Sequence, residues 1–154
     1  MARYIVDSQI DNHEKYYFIR EQESQDIVLL PSKYLMHKKR SKLSPNTIRR
    51  SAGAISYYLN YIDETGIQLD DVWEMPYDKQ QEHFTDYLIW LQAGLHSGDS
   101  YKKKPYNETC NAYLKEVFRF YRFSGQQDES TKQLKVLSDM RIIVHNSVGV
   151  KRTL

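Results

Sequence analysis

Two sets of basic side chains stand at helical spacing. Arg49 and Arg50 lie near the start of SPNTIRRSAGAISYYLNYIDETG (residues 44–66), and Asn111, Lys115, Arg119 and Arg122 follow one another at steps of four, four and three in NETCNAYLKEVFRFYRF (residues 107–123). Residues at such steps project together from one side of a helix. The chemistry open to them is recognition of phosphate: lysine and arginine displace counterions from a polyanion, and helix N-termini offer unpaired N–H groups to the same anions. In the first stretch Asn46, Arg50, Gly53, Tyr57 and Tyr61 share a face flanked by Arg49, combining charge, a small residue and aromatic hydroxyls that suit contact with a phosphate backbone. A third basic feature is the run Lys102, Lys103, Lys104 in a glycine-containing loop, where Lys103 either follows phosphates or keeps the loop solvated.

Other chemistries lack their motifs. There is no glycine-rich phosphate loop, no His-x-x-x-His pair and no nucleophile elbow. Cys110 is the sole cysteine, which excludes an intrachain disulfide and a cysteine-based zinc site; it reads as a small core residue. No cofactor or metal is expected.

The elements that carry these residues follow from caps and periodicity. Ser44 is an N-cap, Pro45 occupies the first turn, and Gly66 follows the last periodic residue. Between them Ile48, Ala52, Ile55, Leu59 and Ile62 form one apolar stripe, predicting a helix about 30 Å long. In residues 107–123 Asn107 serves as the cap, and Cys110, Leu114, Val117, Phe118 and Tyr121 are the core positions. Phe84, Tyr87, Leu88 and Leu91 mark a further helix from Asp78 to about Ala93, stopped by Gly94 and acidic on its outer face. A short first helix, PSKYLMHKKR, turns Tyr34 and Leu35 inward and leads through a basic link to Ser44, while Trp73 joins the core from the connection after Gly66. Residues 1–26 carry two β-prone runs, Tyr4–Val6 and Tyr16–Ile19, that suggest a hairpin packed on the helices. Residues 126–154 begin as a polar linker and end in short apolar runs without a clear period; a helix, a strand or a strap toward another domain all fit.

The chain has 154 residues and a net charge of +2, which describes one mostly structured domain and does not by itself announce a nucleic-acid partner. The distribution is more telling. Lys33, Lys38, Lys39, Arg40, Lys42, Arg49 and Arg50 cluster early, whereas Asp63, Glu64, Asp70, Asp71, Glu74, Asp78 and Glu82 cluster next, so the molecule should be polarised. No apolar run approaches the roughly 20 residues of a membrane helix, and the N-terminus has no signal-peptide core, so no membrane partner and a cytoplasmic location are expected.

A capped SPNTIRR opening a helix of the YYLNYIDETGI type, an acidic third helix, and NETCNAYLKEVFRFYRF together resemble the N-terminal core-binding domain of tyrosine recombinases, the phage integrase family, over residues 27–125. Thr47 and Thr109 stand near the helix starts as in that family; Ser51 stands where members often have tyrosine. The resemblance implies a mainly α, SAM-like four-helix domain, here with a short N-terminal β-hairpin. It implies a mobile-element protein that grips double-stranded DNA for integration or recombination, alongside other recombinase protomers assembled on the DNA. The implied DNA-facing residues are Asn46, Thr47, Arg49, Arg50, Gly53 and Tyr57 from the second helix and Asn111, Lys115, Arg119 and Arg122 from the fourth. The family's chemistry uses a tyrosine nucleophile, arginines and a His-x-x-Arg element. The only formal match, His37 with Arg40, is isolated from any such set. The chain is thus expected to be a non-catalytic part of a recombinase, with residues 126–154 leading toward a catalytic domain. A helical protein-interaction module is the alternative. Gly53, costly inside a helix, fits either close approach of an external backbone or tight helix packing.

Overall fold

Two strands and five helices follow one another as β1 (Tyr4–Asp11), β2 (Glu14–Glu21), α1 (Leu29–Arg40), α2 (Pro45–Thr65), α3 (Asp71–Glu74), α4 (Tyr77–Gln92) and α5 (Asn107–Gly125), with a 3₁₀ turn at Leu95–Ser97. The computed structural model describes residues 3–97, 104–127 and 132–136. The architecture is mainly helical with one short antiparallel hairpin.

α2 is the centre, contacting α1, α5 and both strands. Its ends form as the sequence dictates: Ser44 Oγ accepts the Thr47 N–H at 3.2 Å, Pro45 opens the helix, and Gly66 closes it in the left-handed region at φ 73°. The stripe Ile48, Ala52, Ile55, Leu59 and Ile62 is buried throughout. Burial extends further round the helix than that stripe, because neighbours pack on two sides. Tyr61, expected on the polar face, is instead buried against Tyr87 and Trp90 of α4, with ring centroids 5.2 and 5.3 Å away.

A two-stranded hairpin alone is marginal in water. Here Asn12 and His13 both take positive φ and close a two-residue turn of the kind that matches strand twist. The ladder is then fastened to α2 by side chains acting on backbone: Asn60 Oδ1 accepts the N–H groups of Arg3 and Tyr4, while Asn60 Nδ2 and Ser56 Oγ donate to the Tyr4 carbonyl. On β2, Ile19 is fully buried; its carbonyl accepts the Val28 N–H, and its N–H donates to Ser32 Oγ.

Inside, Tyr58 sits among Phe84, Tyr87, Tyr121 and His83. The hydroxyl protons here can be assigned by counting. Tyr121 donates to the Leu69 carbonyl (3.0 Å), so it accepts from Tyr58 (2.7 Å), and Tyr58 must in turn accept from His83 Nε2–H (2.8 Å).

Past α5, the chain returns to the core. Leu134 and Val136 are buried, and the buried amide of Gln80 joins this strap to α3: its oxygen accepts the N–H groups of Lys135 and Val136, and its nitrogen donates to the Val72 carbonyl. Gly125 makes the return possible, since a Cβ there would stand 2.1 Å from the Lys132 carbonyl oxygen. Residues 126–154 are expected to begin as a polar linker and to continue as a helix, a strand or a strap, and within them the described residues 132–136 form a strap packed on the core.

Candidate nucleic-acid interface

The first half of α2 meets the hairpin on one side and α5 on the other. Between α2 and the hairpin lies a groove of about 570 Å³, walled by Asp7, Ser8, Lys15 and Tyr17 on the strands and by Arg49, Arg50, Gly53 and Tyr57 on α2, with Tyr113 of α5 at its end. Across Arg50 a second groove of about 500 Å³ runs between α2 and α5, bounded by Thr47, Arg50, Thr109, Tyr113, Glu116, Arg119 and Lys38. Lys38 and Arg119 also border a third hollow, of about 350 Å³, which adds Arg122. Shared residues make the three hollows one continuous face.

Charge balance differs along this face. Among the described residues Lys15, Arg49 and Arg50 form no ion pair. The acid in their groove, Asp7, is paired with Arg20 at 3.2 Å. On the α5 side Glu116 is only 7% exposed; its carboxylate accepts the Tyr34 hydroxyl and pairs with Lys38 Nζ at 3.0 Å and with Arg119 at 3.2 Å. Burial pushes the Glu116 carboxyl up, but the Tyr34 hydrogen bond and the Lys38 charge outweigh it and hold the group below the usual value. Burial, then the Glu116 contact, pushes the Tyr34 phenol up. The trio of Lys38, Glu116 and Arg119 thus carries a net charge of about +1, while the α2–hairpin groove carries uncompensated positive charge.

Of the residues singled out in the sequence, Arg49, Arg50, Gly53 and Tyr57 come together in the first groove, Thr47, Arg50 and Arg119 in the second, and Arg119 and Arg122 in the third. Asn46 and Lys115 are exposed on the same two helices. Asn111 is a correction. It is 4% exposed and turns its amide back to the Asn107 carbonyl at 2.9 Å, because at 100° per residue it lies about 20° from the buried Phe118, at the margin of the outer arc. Asn107 is not the cap either; Tyr106 holds that position without a side-chain hydrogen bond, and Asn107 Oδ1 accepts from Gln92. Lys103 lies outside the described residues. The hairpin's Lys15 and Tyr17 had no local signal, since only the tertiary docking of β1 on α2 brings them here.

Beyond the backbone of α2 itself, no heavy atom of the described residues lies within 4 Å of the place a Gly53 Cβ would take, so tight packing of a neighbouring helix does not explain it. Cys110 is fully buried, and burial raises its thiol to about 11. Among the described residues no three His, Cys, Asp or Glu side chains gather as a metal would require, and no helix is long and apolar enough to cross a membrane. No family model, curated protein or solved structure gives a significant match to the chain.

Proposed function

We propose that this chain is a DNA-gripping domain of a tyrosine recombinase, a SAM-like four-helix unit that lays the basic face of α2 and α5 along duplex DNA. Strand cleavage belongs to a separate catalytic domain of the assembled recombinase, other protomers share the DNA, and the work is done in the cytoplasm. The observation that carries the reading is the cluster of Lys15, Arg49 and Arg50, which form no ion pair among the described residues, around a groove lined by an open glycine. Cations without an acidic partner among the described residues are the natural counterpart of a polyanion, and the threonine-bearing N-terminal turns of α2 and α5 flank the same face.

Contacts of this type go mainly to phosphate, so they position more than they specify. Binding to random duplex is expected in the nonspecific range, on the order of 10⁻⁴ to 10⁻⁶ M at physiological salt, and to weaken linearly in a plot of log affinity against log salt. Fluorescence anisotropy with a random duplex of about 25 base pairs measures this directly. Arg50→Ala should weaken binding and reduce the salt slope by about one unit. A folded protein that ignores duplex DNA at low salt would sink the proposal.

A further inference from the structure

The first groove has two walls, and only one of them belongs to the helices. The other is the distal half of the hairpin, where Ser8 pairs with Tyr17 and Ile10 with Lys15, in a ladder fixed to α2 by the Asn60 and Ser56 bonds to β1. Lys15 is exposed, lies over the Tyr17 ring at 5.5 Å and forms no ion pair among the described residues. The hydroxyls of Tyr17, Tyr57 and Tyr113 likewise have no hydrogen-bond partner among those residues. The groove therefore presents cations from both sides together with phenol hydroxyls that no described protein group engages.

We infer that the hairpin is a nucleic-acid-binding element in its own right and that the groove between it and α2 seats the sugar-phosphate backbone of one DNA strand. The inference rests on the DNA-gripping reading and adds the hairpin to it. Size supports this occupant. A volume of about 570 Å³ is that of a site for a single ligand unit, enough for a short length of one backbone and far less than a whole duplex fills. Charge supports it as well, because cations face the groove from two elements and its acid is engaged by Arg20. Lys15 and Arg50 would then hold phosphate from opposite sides, and the tyrosine hydroxyls would donate to phosphate or sugar oxygens. Gly53 leaves the floor open where the strand comes nearest to the helix.

Two measurements test the hairpin's part. The first is the salt-dependent anisotropy titration with the random duplex, comparing the parent with Lys15→Gln and Arg50→Ala. Lys15→Gln is expected to weaken binding several-fold and to lower the salt slope by about one unit, as Arg50→Ala does. The second uses Ser8→Cys. Cys110 is buried, so the introduced thiol is the reactive one, and saturating duplex should slow its alkylation by a maleimide at least several-fold. If Arg50→Ala lowers the slope while Lys15→Gln keeps the parent's, or while the introduced thiol reacts at the same rate with and without duplex, the inference is overturned and the helix-face reading stands. If the parent does not bind duplex at low salt, both are overturned.

Discussion

An alanine at position 53 would place its Cβ in open space, and mid-helix glycine costs roughly 0.5–1 kcal/mol relative to alanine. Gly53→Ala is therefore expected to stabilise the fold by about that amount, seen as a higher urea midpoint at unchanged slope. The same methyl group would narrow the floor of the α2–hairpin groove, so duplex affinity should fall. A variant more stable than the parent that binds equally well would remove Gly53 from the interface. The arginines should also be unequal. Arg119 shares the Glu116 carboxylate, whereas Arg50 has no acidic partner among the described residues, so Arg119→Ala should reduce the salt slope by less than Arg50→Ala in the anisotropy titration. Equal losses would mean that Glu116 releases Arg119 when DNA arrives.

The helices were legible because their signals are local: the Ser44 and Gly66 caps, the stripe from Ile48 to Ile62, and the spacing of Phe84, Tyr87, Leu88 and Leu91, which placed α4 to within one residue at each end. The basic side chains on the outer arcs of α2 and α5 were legible for the same reason. What periodicity could not give is how wide each buried arc becomes once neighbours pack. Tyr61 lies about 40° round α2 from Tyr57, far enough to meet α4, and Asn111 lies beside the buried stripe of α5. Contacts between distant segments were hidden altogether, among them Asn60 on the Tyr4 backbone, Glu116 beneath Lys38, and Gln80 holding the strap at 132–136. Gln80 is the sharpest case, a buried polar residue in the first turn of α4 whose role appears only with the returning chain. Gln80→Leu keeps the volume but leaves the N–H groups of Lys135 and Val136 and the Val72 carbonyl without their partner. It is expected to cost about 2–3 kcal/mol, read as a lower midpoint in urea. A midpoint equal to the parent's would show that water replaces the amide and that the strap contributes little.

Across the whole molecule, α2 sets the charge axis. Arg49 and Arg50 near its start lie roughly 20 Å from Glu64 near its end, at 1.5 Å per residue, where Asp63 is already paired with Arg3, so a polyanion would be drawn toward the start of the helix rather than its end. Between these poles the core depends on a neutral histidine. Burial lowers His83 to about 4, and its Nε2–H begins the hydrogen-bond chain through Tyr58 and Tyr121 to the Leu69 carbonyl. Because the folded pKa is depressed below the unfolded value of about 6.5, the unfolded chain binds the extra proton between those limits. This contribution is present in full above pH 6.5, is lost as the pH falls toward 4, and changes no further below that. At about 1.4 kcal/mol per pH unit it amounts to at most about 3.5 kcal/mol. Carboxylates such as Glu116, held below its usual value, add their own loss at lower pH, so the histidine's share needs a non-titrating donor for comparison. Gln at position 83 can still donate to Tyr58. His83→Gln should lower stability at pH 7 yet give a flatter curve between pH 6.5 and 4.5 than the parent, measured by urea midpoints across that range. Parallel curves would mean that His83 is protonated in the folded core without penalty, and that the neutral chain from His83 to Leu69 is not what holds α4 against α2 and α5.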